Sequence, residues 1–272
     1  MERLCAALTV SRSGYYAWRT RPASPRRQAN QRLLQQIRTV HREAREAYGA
    51  VKTWRALQGQ GIACGRHRVA QLRRLHGIEA RRMRRFRAAY QGRNSAPAAP
   101  NLVARQFAVP APNRVWAGDI TFIPTRRGWL YLAVVLDLYS RRVVGWAMSD
   151  RINGALVRDA LRMALEQRQP EPGLIHHSDQ GMQYAGGDYR ALLHAHGLRV
   201  SMSRKGNCYD NAPVESFFST LKNEWTWHHT FQDRDQARAA LFDYIELFYN
   251  RQRRHAALDY HSPVQYEEHG VS

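Results

Sequence analysis

Val115-Trp116-Ala117-Gly118-Asp119-Ile120-Thr121-Phe122 reads as an apolar, strand-like run with a carboxylate in its middle. Burying that charge costs several kcal/mol unless something cationic compensates it. Two other acids stand at comparable places. Asp179 ends the run Leu174-Ile175-His176-His177-Ser178, and Glu215 follows Asn211-Ala212-Pro213-Val214 at the start of a helix-like stretch. Fifty-nine residues separate the first two acids and thirty-five the second two. Three carboxylates suit hard divalent cations, Mg²⁺ or Mn²⁺, rather than zinc. A pair of such ions held by carboxylates is the usual arrangement for in-line attack on a phosphodiester.

Outward from Asp119, period-2 patterning predicts strands over 114–122, 129–137 and 141–148. Thr125-Arg126-Arg127-Gly128 and Tyr139-Ser140 separate them, so the three read as an antiparallel meander. A helix is expected over 154–168, a strand over 173–178, a helix over 187–196 and a strand over 198–202. The loop Ser203-Arg204-Lys205-Gly206-Asn207 leads to the Glu215 helix, and a last amphipathic helix covers 233–249 with Asp233 as its cap. This order defines an α/β fold with a mixed sheet. If the strands of Asp119 and Asp179 are neighbours, the Glu215 helix can close the site from its flank. Lys222, two helical turns beyond Glu215, shares its face and is placed to hold a phosphate. Arg204, Lys205 and Asn207 lie in a loop suited to DNA contact.

Other titratable residues have plainer readings. Asp137, Asp188 and Asp210 read as turn or capping acids, Asp210 for the Glu215 helix. His176 and His177 flank the site, and Cys64-x-x-His67 lacks the second half of a zinc site. Trp225, Trp227, Phe231, Tyr244, Phe248 and Tyr249 read as core or interface.

The first hundred residues differ in kind. Leu33, Ile37 and Val40 recur at helical spacing, as do Val51, Trp54 and Leu57, then Val69, Leu72 and Leu75. Gly59 and Gly61 separate the last two helices, which makes a helix-turn-helix whose later helix carries Arg66, Arg68, Arg73 and Arg74. Residues 1–100 hold 22 Arg/Lys against 4 Asp/Glu, while 101–272 hold 20 against 18. Nearly all of the net charge of +20 therefore belongs to the helical end, which points to binding of a phosphate backbone. Ser95-Ala96-Pro97-Ala98-Ala99-Pro100 and Pro110-Ala111-Pro112 favour extended chain. The expected organisation is a basic helical region 1–90, a Pro/Ala linker 91–113, a core 114–230 and a helical extension 231–272. No stretch reaches the ~18–20 apolar residues of a membrane span, and no leader pattern opens the chain. Three scattered cysteines form no disulfide framework and fit a reducing, cytoplasmic setting.

Several long motifs occur in one order: Trp116-Ala117-Gly118-Asp119-Ile120-Thr121; His177-Ser178-Asp179-Gln180-Gly181-x-Gln183-Tyr184; Ser201 through Ala212; Glu215-Ser216-Phe217-Phe218-x-x-Leu221-Lys222-x-Glu224; and Tyr249-Asn250-x-x-Arg253-Arg254-His255-x-x-Leu258-x-Tyr260-x-Ser262-Pro263. Together they resemble the second-frame product of insertion-sequence-three transposases, over nearly the whole chain. The resemblance implies a ribonuclease-H-like integrase catalytic core behind an all-helical helix-turn-helix region. It implies Asp119, Asp179 and Glu215 as catalytic and metal-binding triad, with two Mg²⁺ for which Mn²⁺ substitutes, and Lys222 as the basic residue after the Glu. It also implies 3′-end cleavage and joining of the freed 3′-hydroxyl to target DNA, terminal inverted repeats as substrate, a homo-oligomer on paired ends, an upstream-frame (OrfA) partner and association with the nucleoid. Two other readings stay open: a ribonuclease-H-like nuclease without strand transfer, and a DNA-binding regulator with an inert core.

Overall fold

The computed structural model describes residues 1–81, 99–204 and 208–270, which divide into two compact units. The first comprises Met1–Glu43 with Tyr48–Glu79. Its helices are α1 (Glu2–Ala7), α2 (Arg12–Thr20), α3 (Pro25–Glu43), α4 (Ala50–Gly59) and α5 (Arg66–Leu75). Ser11 starts α2 by accepting the Gly14 N–H at 3.0 Å. The expected apolar stripes meet in part: Leu33, Ile37 and Val40 of α3, Leu57 of α4, and Val69 and Leu72 of α5 are buried, whereas Val51 at the start of α4 and Leu75 at the end of α5 are exposed. Gly61, at φ +75°, makes the left-handed bend after α4. The Trp54 indole N–H donates to the Cys64 carbonyl at 3.0 Å and ties down the rest of that turn.

The second unit is built on one five-stranded sheet. Its elements are β1 (Val115–Thr125), β2 (Gly128–Asp137), β3 (Val143–Ser149), α6 (Gly154–Arg168), β4 (Ile175–Ser178), α7 (Met182–Ala185), α8 (Gly187–Ala195), β5 (Arg199–Met202), α9 (Ala212–Glu224), α10 (Arg234–Phe242) and α11 (Pro263–Gly270). The strand order is β3-β2-β1-β4-β5. β1, β2 and β3 form the antiparallel meander, whereas β4 and β5 join β1 in parallel. Alternation along β1 divides the core into two layers. Trp116 and Ile120 pack with α6 and α8; Ala117 and Ile123 pack with α9 and α10. Gly145 lets α6 lie directly on β3, because a Cβ there would stand 2.2 Å from the Ala160 carbonyl oxygen.

β4 has only four residues against eleven in β1, and its ladder reaches β1 only through Val115, Trp116 and Ala117. Elsewhere the strands and helices fall close to their expected places, with two differences. The helix expected over 233–249 begins at its Asp233 cap but passes into π-helix over Asp243–Tyr249, which turns Tyr244, Ile245, Phe248 and Tyr249 into the core. The short helices α7 and α11 lie in polar sequence without an apolar stripe to announce them.

Residues from Ala99 onward are docked on this unit. Val103 is buried in its core, and the Leu102 N–H donates to Ser201 Oγ at 2.9 Å. Helix α11 is held by Glu267, whose carboxylate accepts from Arg142, Arg168 and Ser140 at 2.7–2.9 Å. Among the described residues, no helix is long and apolar enough to cross a membrane.

Candidate active site

Asp119 and Asp179 each lie two residues past the last β1–β4 ladder pair, Ala117 with His177. Parallel register therefore carries both carboxylates to the same level, one within β1 and the other just past the end of β4. Asp179 sits in a tight turn: its Oδ1 accepts the Gly181 N–H at 2.9 Å, and a Cβ on Gly181 would come within 2.8 Å of that oxygen. Glu215 arrives on the first turn of α9, which packs against β1. The tie between them is Asn211, whose buried side-chain amide donates to the Gly118 carbonyl at 3.3 Å. Val214, Phe217, Phe218 and Leu221 bury the opposite side of α9 in the core, leaving Glu215 exposed.

The electrostatics show which groups share one field. Burial, then the charges of Asp179 and Glu215, push the Asp119 carboxyl up to about 8; the Ile120 N–H and Lys222 pull the other way. Burial also raises Asp179 and Glu215. Lys222 is lowered by burial and held up by Asp119, and its ammonium lies 4.5 Å from the centre of the Phe122 ring. The site is thus a set of oxygen-only donors, two of which raise the third, Asp119, with one lysine in the same field. That chemistry fits a hard divalent cation. Among the described residues, no three His, Cys, Asp or Glu side chains are gathered tightly enough to enclose a single ion.

The flanking histidines are structural. Burial drives His176 down to about 3, and its Nε2 stands 3.0 Å from the Tyr189 hydroxyl. The His177 ring nitrogens stand 2.8 and 3.1 Å from Oγ of Ser201 and Ser203, joining β4 to β5. Burial lowers His177 as well.

Asp210 does not cap α9. It is fully buried and accepts from Arg204 through the backbone N–H and the guanidinium, from Arg105 and from Asn101, at 2.9–3.2 Å. Arg204 is therefore bound to Asp210, which holds its carboxyl far below the usual range. Lys205 and Asn207 lie outside the described residues. Arg73 is also misplaced by the helical reading: only 4% exposed, it donates to Thr53 Oγ1 and the Tyr48 carbonyl, so it braces the helical unit rather than facing DNA. Arg66 and Arg74 are exposed, and Arg68 donates to Asn30 at 2.8 Å. Asp137 accepts the Asn113 and Tyr139 N–H groups, and Asp188 pairs with Arg158.

The tail motif is scaffolding. Asn250 exchanges two 3.0 Å hydrogen bonds with Val143, and Arg253 grips Glu224 with two at 2.7 Å. This fixes the far end of α9. Trp225, Phe231, Tyr244, Phe248 and Tyr249 are buried, as expected.

A mixed sheet in the order β3-β2-β1-β4-β5, with one acid within the central strand, one just past the end of its parallel neighbour and one on a covering helix, is the ribonuclease-H-like layout of an integrase catalytic core. The comparisons agree. Residues 109–208 and 215–271 match models described as integrase core domain, and 28–86 match an HTH-like domain. The chain is 46% identical to the 31 kDa protein of insertion element IS600 of Shigella sonnei, over 97% of both chains. It is 42% identical to transposase InsF for insertion sequence IS3A of Escherichia coli, over 100% of this chain and 95% of that one. A chain of the simian T-cell lymphotropic virus intasome shares its fold, with TM-score 0.50 and 16% identity, covering 78% of this chain and 69% of that one. The chain belongs to the IS3 family of insertion-sequence transposases. It is a DNA transposase with a polynucleotidyl-transferase core of the DDE class and an HTH-like region.

Proposed function

We propose that Asp119, Asp179 and Glu215 are the catalytic acids, and that they hold two Mg²⁺ ions between them for cleavage at the element ends and transfer of the freed 3′-hydroxyl. The observation that supports this is the parallel β1–β4 register, which sets Asp119 and Asp179 each two residues past the last ladder pair, with Glu215 on the first turn of the helix that packs on β1. When bound, the ions would activate the attacking oxygen and stabilise the departing one, with Mn²⁺ able to substitute. Two carboxylates per ion, completed by water and phosphate oxygens, suit magnesium better than a closed protein cage.

The chain's own residues do the remaining work. β1 and the Gly181 turn hold two acids on the sheet, and Asn211 brings the third to them on α9. Lys222, beside Asp119, neutralises a phosphate of the strand being cut. Arg66, Arg68 and Arg74 contact the DNA backbone from the helical unit. Residues 1–90 act as the end-binding region, 114–230 as the core and 231–272 as its brace. By kinship, the chain works as a homo-oligomer on paired ends with the upstream-frame product as partner.

The test is an end-labelled duplex carrying the element's terminal repeat, incubated with the full chain and Mg²⁺. Nicking at the 3′ end and joined products are expected. Asp119→Asn should lower both by a hundredfold or more, since even residues that only support metal ligands cost 10–100-fold. Nicking by that variant at the parental rate removes Asp119 from the site. Nicking without joined products favours a nuclease instead.

A further inference from the structure

Two large aromatic side chains stand in solvent on the β1–β2 hairpin, beyond Asp119 along β1. Phe122 is 47% exposed and Trp129 48%, at diagonal positions near the tip of the β1–β2 hairpin, where Phe122 pairs with Tyr131 and Trp129 with Pro124. Their rings meet edge to face at 5.0 Å. A cross-strand aromatic pair contributes ~0.2–1 kcal/mol to a hairpin, which accounts for their contact but not for their exposure. On the same sheet face, Ile120 and Tyr131 pack against the α6 layer, but Phe122 and Trp129, one step nearer the tip, do not. The hairpin thus carries an apolar surface past the edge of its helical cover.

What surrounds that surface is cationic. Lys222 lies over the Phe122 ring at 4.5 Å, the turn holds exposed Arg126 and Arg127, and Arg234 donates to the Trp129 carbonyl at 3.0 Å. Lys222 stands two helical turns beyond Glu215 on α9, so it links the patch to the helix that carries the third acid. Aromatic faces among cations at the mouth of a phosphodiester-cutting site match a nucleic-acid strand with unstacked bases. The cations meet phosphate, and the rings meet a base of any identity. A base must leave its stack before a ring can replace its neighbour, so the ligand is DNA that is unpaired at the end being processed.

We infer that Phe122 and Trp129, with Lys222 beside them, form a stacking surface for an unpaired base next to the reactive phosphate; this rests on the reading of Asp119, Asp179 and Glu215 given above. The experiment uses the full chain with Ca²⁺ and a DNA duplex ending in two unpaired nucleotides, one of them 2-aminopurine. Stacking on an aromatic ring quenches 2-aminopurine fluorescence. The parental chain should quench it. Phe122→Ala and Trp129→Ala should each lose most of the quench and bind the frayed duplex about tenfold more weakly. Trp129→Phe should keep the quench, while Phe122→Leu, apolar and flat-faced no longer, should not. Both positions are exposed, so melting temperatures should stay within a few degrees, and Phe122→Leu serves where alanine disturbs the hairpin. Absence of quenching by the parental chain, or quenching that survives in both alanine variants, overturns the inference. Nicking with Mg²⁺ is scored separately. A chain that quenches but never nicks keeps the stacking surface and loses the proposed catalytic role.

Discussion

Asp119 serves two opposed ends. Its folded-state carboxyl is raised to about 8, so the metal-free protein must either keep it protonated or bear a charge it solvates badly. The sign follows directly. The folded state binds more proton than the unfolded state between about pH 4 and pH 8, so this group's contribution to stability falls as pH rises through that window. Four units would correspond to more than ~5 kcal/mol at 1.36 per unit, but the side chain retains partial solvent access, so about 2 kcal/mol is the realistic scale. Asp119→Asn should therefore melt a few degrees higher than the parent in EDTA at pH 9, with the gap closing by pH 4. Equal melting curves at both pH values would show that the acids are too well solvated to repel. Adding Mg²⁺ should narrow the gap from the other direction, by stabilising the parent alone.

At the scale of elements, the proposed acids stand out because each interrupts a pattern: a charge inside an apolar strand, a charge following one, a charge on a helix's first turn. The meander was legible from alternation and from the turn Thr125-Arg126-Arg127-Gly128. What was not legible depends on distant partners. Asp210 looked like a cap because Asn211-Ala212-Pro213 follows it, yet its partners Asn101 and Arg105 lie 109 and 105 residues away. Arg73 looked like one of four cations on a recognition helix, and only the approach of Tyr48 and Thr53 turns it inward. Gly145 carried no signal, but α6 leaves no room there for a side chain. Gly145→Ala would force a methyl to within 2.2 Å of the Ala160 oxygen. Overpacking of that kind costs ~1–3 kcal/mol, so the urea midpoint should fall with the slope unchanged. A variant as stable as the parent would mean that α6 can slide.

Over the whole molecule, charge is unevenly divided, and pH and salt should separate its parts. Residues 1–100 hold 22 basic and 4 acidic side chains. Binding of the full chain to duplex DNA should weaken steeply with salt, with a log–log slope of about −5 if some six phosphates are neutralised. A slope near zero between 50 and 200 mM would remove the basic region from the interface. The core answers to acid instead. Against the cost of its burial, hydrogen bonds and charge from Arg168, with Ser140 and Arg142, hold the Glu267 carboxyl below its usual range. A depressed carboxylate stabilises the fold above its unfolded pKa, near 4.5, and that stability is lost as pH falls through the folded value. Glu267→Gln should lower the melting temperature at pH 7 but match the parent near pH 3. A deficit that persists at pH 3 would mean that the side chain acts through shape rather than charge.

The brevity of β4 leaves β1 without a ladder partner on one side from Gly118 until Phe231 bridges Thr125 in parallel, in the middle of the sheet. Arg114 gives its carbonyl to Ile175 on that side, so alternate residues along β1, Gly118, Ile120, Phe122 and Pro124, turn their backbone the same way. Such an unzipped border invites a foreign strand to dock and grow a fibre. Here it is stoppered piece by piece: the Asn211 amide occupies the Gly118 carbonyl, the Asp119 carboxylate occupies the Ile120 N–H, and Pro124 has no N–H to offer. The acid proposed as a catalyst thus also covers one backbone group along this border.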